Sequence, residues 1–280
     1  MPITNLKDLL LDAEAENKAV GAFSVGNMEM IIGAVKAARE LDTPIILQIA
    51  EARLRTSPLE YMAPLMLAAA KESPVPIAVH LDHGLSENTV CKALYLGFTS
   101  VMLDKSLLPF EENVLATRRV VERASRYGAF VEAELGVVGG SEGGMVSHEI
   151  SCTDPSLAAR FCERTGIDAL AVAIGNAHGN YPALPQLRFD ILEKIGKSCS
   201  VPLVLHGGTG IAPEMFRRAI SLGIRKINIA TANFDCLARS AKAYAEKADK
   251  PDYFELSKAM VDGVYENVKK HITIFNNDWR

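Results

Sequence analysis

Six histidines occur in this 280-residue chain, and four of them fall where chemistry could use them. His80 and His83 flank Asp82 in VHLDHG (79–84), His178 lies in GNAHGNY (175–181), and His206 lies in LVLHGGTG (203–210). Each follows a short apolar run. His148 sits in a glycine-rich stretch, and only His271 stands plainly apart. A single histidine at the end of a strand is ordinarily a hydrogen-bonded polar residue. Several gathered on one face of one fold are a candidate metal centre. Three neutral imidazoles with a fourth position left open are the arrangement of catalytic rather than structural zinc.

The elements that would gather them can be read from the apolar pattern. Eight short runs recur at 20–25, 44–50, 77–81, 100–104, 130–135, 169–175, 202–207 and 226–230. Most are continuous rather than alternating, as parallel strands buried on both faces require. Helical spacing fills the intervals at 28–42, 59–73, 113–128, 156–166 and 213–223. Gly128 offers a C-cap, Asp154-Pro155 a helix entry, and Pro213 a first-turn residue. Eight strands alternating with helices predict a (β/α)8 barrel, and no GxGxxG follows the first strand to favour an open doubly wound sheet. No linker splits the chain, so residues 1–280 read as one barrel domain. Residues 233–270 are expected to be additional C-terminal helix, and the last ten residues a tail.

Barrel active sites lie at the C-terminal ends of the strands. In order, those ends carry Ser24 and Asn27; Gln48, Glu51 and Arg53; His80, Asp82 and His83; Asp104 and Lys105; Glu132 and Glu134; Asn176 and His178; His206; Asn228 and Thr231. Imidazoles from strands three, six and seven would therefore converge. HGGTG (206–210) and NIATAN (228–233) follow strands seven and eight, the common phosphate site of such barrels, where glycines let backbone N–H groups approach an anion. The long glycine-rich segment 134–154 after strand five has the character of a lid and carries Glu142.

Composition narrows the alternatives. Apolar residues make up 49% and charged residues 23%, with a net charge of −4 and no dense Lys/Arg run, which gives no case for nucleic acid. The five cysteines are odd in number and contain no CxxC, which argues against a disulfide framework and for a reducing compartment. The first ten residues lack a signal-peptide core, and no apolar run approaches the ~20 residues of a membrane span. A cytoplasmic protein with no membrane partner is the expectation.

Taken in order, HLDHG (80–84), EAELG followed by GG and an acid (132–142), AIGNAHGNY (173–181), LVLHGGTG (203–210) and KINIATAN (226–233) resemble the class II, zinc-dependent fructose-bisphosphate and tagatose-bisphosphate aldolases. The resemblance spans almost the whole chain. It implies His83, His178 and His206 as ligands of a catalytic Zn2+, with His80 a neighbour in the motif. It implies Asp82 as the acid/base at the aldehyde or C4-hydroxyl oxygen and Glu142 as the proton-abstracting base. Asp104 and Glu134 match ligands of a second or resting metal position. Gly179, Gly207, Gly208, Thr209, Asn228 and Thr231 match the site of the dihydroxyacetone phosphate half of a sugar phosphate, and Gly179 with its neighbours a monovalent-cation site for Na+ or K+. A homodimer or homotetramer is implied by analogy. Carbon–carbon cleavage beside a carbonyl leaves an enediolate, and zinc with three neutral ligands keeps its full charge to stabilise it.

The chain also departs from the family. AFSVGN (22–27) stands where AFNVNN is usual, which puts Ser24 in place of an asparagine, and GNAHG has Asn176 in place of a threonine. Asp252 in DKPDYFEL (249–256) stands where an arginine would bind the distal phosphate of a bisphosphate, while Arg53 could supply a replacement cation. Two other readings compete. A zinc hydrolase of the barrel type would not need the phosphate loops. A non-catalytic companion subunit should lack one of the three histidines or Glu142, and all are present.

Overall fold

The computed structural model describes residues 4–142, 145–147, 151–181 and 185–276. Along the chain come β1 (Val20–Ser24), β2 (Ile45–Ala50), β3 (Ile77–Gly84), β4 (Ser100–Leu103) and β5 (Phe130–Leu135). Two short strands, β6 (Gly139–Glu142) and β7 (Met145–Ser147), come next. Then follow β8 (Ala169–Val172), the two-residue β9 (Ala177–His178), β10 (Leu203–Leu205) and β11 (Ile224–Ile229). β1–β5, β8, β10 and β11 pair in parallel and close into an eight-stranded barrel, with β1 between β2 and β11. Every predicted barrel strand is present.

Helix α1 (Leu6–Ala15) precedes the barrel. The crossovers are α2 (Met28–Glu40), α3 (Leu59–Glu72), α4 (Glu87–Tyr95), α5 (Phe110–Ala124), α6 (Pro155–Thr165), α7 (Phe189–Ser198) and α8 (Pro213–Ser221). Local signals set several ends. Asn27, Ser86 and Asp154 cap α2, α4 and α6 with their side chains, Pro213 opens α8, and Gly128 and Gly166 take the left-handed conformation after α5 and α6. Asn27 is thus a helix cap rather than a site residue.

The C-terminal expectation needs correction. Residues after β11 form two helices, α9 (Thr231–Lys247) and α10 (Tyr253–Phe275), parted near Pro251. His271–Phe275 belongs to α10 and is no tail: Ile272, Ile274 and Phe275 are buried, and His271 packs against Phe216 and Phe275. Burial of these side chains overrides the weak helix propensity of β-branched residues.

Two apolar layers hold the barrel. Odd positions of β3 (Ile77, Val79, Leu81) face the helices in the larger core. Ala78 instead faces the barrel axis with Ala22, Ile46, Met102, Phe130, Ala171 and Val204. α1 closes the N-terminal mouth by packing Leu6, Leu9, Leu10 and Ala13 on this inner cluster. Above it the axis turns polar: Gln48, His80, Glu132 and Lys226 have no exposed surface.

Candidate active site

The strand period places His80 and Asp82 on the barrel axis with Ala78, and would send His83 toward the helices. The structure breaks that alternation. His83 has φ +40°, and the β3–β4 register shifts between Leu81 and Gly84. A non-glycine residue in this region costs about 1–3 kcal/mol and persists where surrounding structure enforces it. The result is that His83 turns back to the mouth, its ring centroid 4.5 Å from that of His206 and 4.9 Å from that of His178. Neighbouring residues Asp82 and His83 thereby both reach the site.

His178 is placed by glycines. β9 pairs with β6, Gly140 opposite His178. A Cβ at Gly140 would collide with the His178 carbonyl, and one at Gly207 with the Ala177 carbonyl; both glycines have positive φ. Asn176, buried, accepts from Ile174 N at 2.7 Å and donates to His206 O at 3.0 Å, tying the histidine-bearing strand ends together. Tyr181 adds a second tie, its hydroxyl accepting from Ala177 N and donating to Gly207 O.

Hydrogen bonds decide which ring nitrogens are offered. His83 Nδ1 lies 2.8 Å from Asp104 Oδ2, and His206 Nε2 lies 2.8 Å from Glu132 Oε1. The opposite nitrogens, His83 Nε2 and His206 Nδ1, are buried without a hydrogen-bond partner, as is Glu134 Oε2. Glu134 Oε2 stands 3.2 Å from His206 Nδ1, so two acceptors face each other unless a proton or cation lies between them. Ligand atoms of His83, His178 and His206 all lie within 4.8 Å of one another, and so do those of His83, Asp104 and Glu134. These donor sets fit a divalent cation such as zinc. The electrostatics agree. Burial lowers the pKa of His83, but Asp82, Asp104 and Glu134 outweigh it and raise the value well above that of a free imidazole. Burial and His83 lower that of His206, yet Glu132 and Glu134 raise it overall. Burial raises the pKa of the Asp104 carboxyl, but its bonds to His83 and Ser106 bring it well below the usual range.

Two cavities meet at His178. One is lined by His83, Asp104, Glu134, His178 and the apolar residues Ala52, Leu85, Leu107, Val137 and Val138. The other is lined by Asp82, His178, Gly179, Gly207, Gly208, Thr209, Asn228, Ala230 and Thr231. All six residues expected around a dihydroxyacetone phosphate group therefore share one cavity with Asp82. Thr209 also accepts from Ala232 N in the first turn of α9.

Other expected residues lie elsewhere. Arg53 lines neither cavity; its guanidinium stacks over Phe234 at 5.3 Å, beyond the end of β1. Glu51 is structural: its carboxylate accepts from Leu85 N, Ser86 N and Thr89 Oγ1 at the start of α4. Asp252 caps α10 by accepting from Glu255 N. The backbone of Glu142 ends β6, while its side chain, like His148, lies outside the described residues. Gln48 and Lys226 carry more than the sequence reading gave them. Gln48 Nε2 donates to Asp82 Oδ2 at 3.0 Å and to Ser24 Oγ at 3.1 Å, and Lys226 donates to Asn228 Oδ1 at 2.8 Å.

Buried imidazoles ringed by carboxylates, at the C-terminal mouth of a barrel and beside a glycine-lined cavity, define a barrel with a candidate metal site next to a candidate anion site. Comparison with known proteins agrees and sharpens the class. The family profile described as fructose-bisphosphate aldolase class-II matches residues 4–279. A probable fructose-bisphosphate aldolase of Bacillus subtilis (strain 168) is 44% identical over 259 residues, 91% of this chain and 90% of that one. A fructose-bisphosphate aldolase of Staphylococcus aureus (strain Mu50 / ATCC 700699) is 42% identical over 86% of each chain. The crystal structure of the YdjI aldolase from Escherichia coli K12 superposes with a TM-score of 0.88 at 36% identity, covering 98% of this chain and 97% of that one. The chain belongs to the class II fructose-bisphosphate aldolase family, and its activity is that of an aldolase, a carbon–carbon lyase of carbohydrate metabolism.

Proposed function

We propose that the chain is a zinc-dependent aldolase that reversibly cleaves a ketose 1-phosphate, or a ketose 1,6-bisphosphate, to dihydroxyacetone phosphate and an aldehyde. The observation that carries this reading is the single cavity in which Asp82 and His178 meet the glycines and hydroxyls of the last strand ends. His83, His178 and His206 would hold the zinc, with Asp104 and Glu134 offering a second position beside His83. When bound, zinc supplies Lewis-acid stabilisation of the negative charge that develops beside the substrate carbonyl.

The chain's own groups do the rest. Backbone N–H groups at Gly179, Gly207 and Thr209, with the N-terminus of α9 at Thr231, suit the C1 phosphate, while Gly208, whose N–H donates to Asn228 O, lets the phosphate approach closely. A monovalent cation, Na+ or K+, beside Gly179 belongs to the same reading. Asp82 has one oxygen held by Asn228 and the other by Gln48. So held, it takes the proton of the C4 hydroxyl in cleavage and returns it to the aldehyde oxygen in condensation. Glu142, on the β6–β7 hairpin that pairs with the His178 segment, moves the carbon-bound proton. A homodimer or homotetramer, cytoplasmic in location, completes the reading.

The distal end of the substrate is read without an arginine at position 252. We expect ketose 1-phosphates lacking a second phosphate to be preferred, with Arg53 the candidate replacement cation for an acidic distal group. The test supplies dihydroxyacetone phosphate with neutral, carboxylated and phosphorylated aldehydes, and compares kcat/KM for cleavage of fructose 1,6-bisphosphate, tagatose 1,6-bisphosphate and longer ketose 1-phosphates. Chelation should abolish turnover and zinc should restore it. Full turnover in a metal-free sample overturns the zinc role, and a bisphosphate that matches every monophosphate overturns the distal preference.

A further inference from the structure

Beneath the imidazoles, the barrel axis holds a charged side chain that takes no part in the reaction as derived above. Lys226, on β11, has no exposed surface. An ammonium removed from water is costly unless its charge and its donors find partners. Its Nζ lies 2.9 Å from Glu132 Oε2 and donates to Asn228 Oδ1 at 2.8 Å. Lysine has donors only, so the Asn228 amide must turn its oxygen toward Lys226. That leaves Asn228 Nδ2 to donate to Asp82 Oδ1 at 3.0 Å. The reversed amide would set NH2 against the ammonium and a carbonyl against a carboxylate, so both contacts would become repulsive.

The other arm runs to the metal site. As the counter-charge of an ammonium, Glu132 is an ionised group that can only accept. Its Oε1 lies 2.8 Å from His206 Nε2, which must then carry the ring proton and leave the Nδ1 lone pair facing Glu134. His80 is the remaining titratable neighbour: its Nε2 is 3.7 Å from Glu132 Oε2, and its Nδ1 lies 2.7 Å from Ser100 Oγ. A ligand imidazole held through its second nitrogen is fixed in tautomer and orientation, and losing such a support typically lowers metal affinity by ~10–100-fold.

We propose that Lys226 is a positioning residue that touches no substrate yet sets two features of the site: the amide orientation by which Asn228 holds Asp82, and, through Glu132, the tautomer by which His206 offers Nδ1 to the metal. The proposal rests on the roles proposed above for Asp82 and His206. Lys226→Met alone leaves Glu132 a buried unpaired anion and would test folding more than position. The decisive variant is therefore Lys226→Met combined with Glu132→Gln, whose new amide can still accept from His206 Nε2 while the lysine's hold on Asn228 is gone.

The zinc-loaded parent should show, by nitrogen-15 NMR of its histidines, His206 protonated at Nε2. The double variant should keep that tautomer, its zinc content and its fold by circular dichroism. Its kcat for condensing dihydroxyacetone phosphate with the unphosphorylated aldehyde glyceraldehyde should fall by about 10–100-fold. Asn228→Ala should cost the parent a similar factor but cost the double variant less than about threefold, since residues acting as a unit are not additive. Lys226→Met with Glu132→Leu, which also removes the acceptor, should lose the fixed tautomer and bind zinc about tenfold more weakly. A proton on His206 Nδ1 in the zinc-loaded parent, or unchanged zinc affinity in the leucine variant, overturns the metal arm. A full, additive loss from Asn228→Ala in the double variant overturns the amide arm. The tautomer and zinc readouts need no turnover, so failure to condense any aldehyde would count against the substrate reading and not against Lys226.

Discussion

At the scale of single residues, the site depends on groups that fix other groups. Gln48 is one. Its Nε2 spans Ser24 and Asp82, and because an ionised carboxylate only accepts, the amide can face Asp82 in one sense alone. Gln48→Met keeps the volume and removes the donor. A hydrogen bond to a charged group contributes about 1.5–3 kcal/mol, so kcat/KM should fall roughly 10–100-fold with zinc content unchanged. Parent-like kinetics in this variant would show that Asn228 alone suffices to hold Asp82. Gly207 is another. Alanine there meets both a left-handed φ of +64° and the Ala177 carbonyl. Gly207→Ala should displace β9 and His178, and metal analysis should find less zinc retained through dialysis than in the parent. Glu142→Ala, by contrast, should leave zinc in place and slow solvent exchange of the dihydroxyacetone phosphate C–H proton by about 10²–10⁴-fold. Exchange at the parent rate would move the base elsewhere.

At the scale of elements, α10 carries a pH-sensitive contact far from the chemistry. His271 is buried among Phe216, Phe275 and its own helix, its Nδ1 2.7 Å from Asn267 O. Burial, aided by Lys270, pushes its pKa down to about 4 from 6.5. Above pH 6.5 the ring is neutral in both folded and unfolded chains, and its stabilising contribution is fully present. Below that the unfolded chain takes a proton that the folded chain refuses, so stability falls as pH drops from 6.5 toward 4, by about 3 kcal/mol in all. His271→Phe should flatten this part of the acid limb in urea denaturation at pH 7, 5.5 and 4.5. Parallel losses in parent and variant would refute it. The same helix shows what the sequence conceals. The eight barrel strands are legible because strands buried on both faces read as continuous apolar runs. The end of α10 is not, because HITIF is β-branched and only its burial makes it helical. α1 displays Leu6, Leu9, Leu10 and Ala13 at helical spacing, yet a reading directed at signal peptides passes over it. The kink at His83 is equally hidden, since nothing in HLDHG announces a left-handed residue.

At the scale of the whole molecule, the proposed metal position is where the barrel's halves are tied together. Its imidazoles come from β3, β9 and the end of β10, and their supporting groups from β4, β5 and β11. The sequence could place these residues at one mouth, because a motif names its own residues. It could not show the pairing of Lys226 with Glu132, which joins non-neighbouring strands across the barrel axis, or of Gln48 with Asp82, which depends on the register of β2 against β3. An ion held there would bind the folded chain and not the unfolded one, which lacks the geometry. Ligand linkage then applies: free zinc at 1,000 times its dissociation constant stabilises the fold by about 4 kcal/mol. For a chain of this size about 1 kcal/mol corresponds to about 2 °C, so chelation should lower Tm by about 8 °C, and added zinc should restore it. His178→Ala should remove most of the zinc-dependent shift while changing the metal-free Tm little, since His178 is only partly buried. His271→Ala should lower the metal-free Tm but keep the shift. Differential scanning fluorimetry with and without chelator on the three chains reads all of this at once. A parent Tm indifferent to chelator would mean that the three imidazoles hold no stabilising ion.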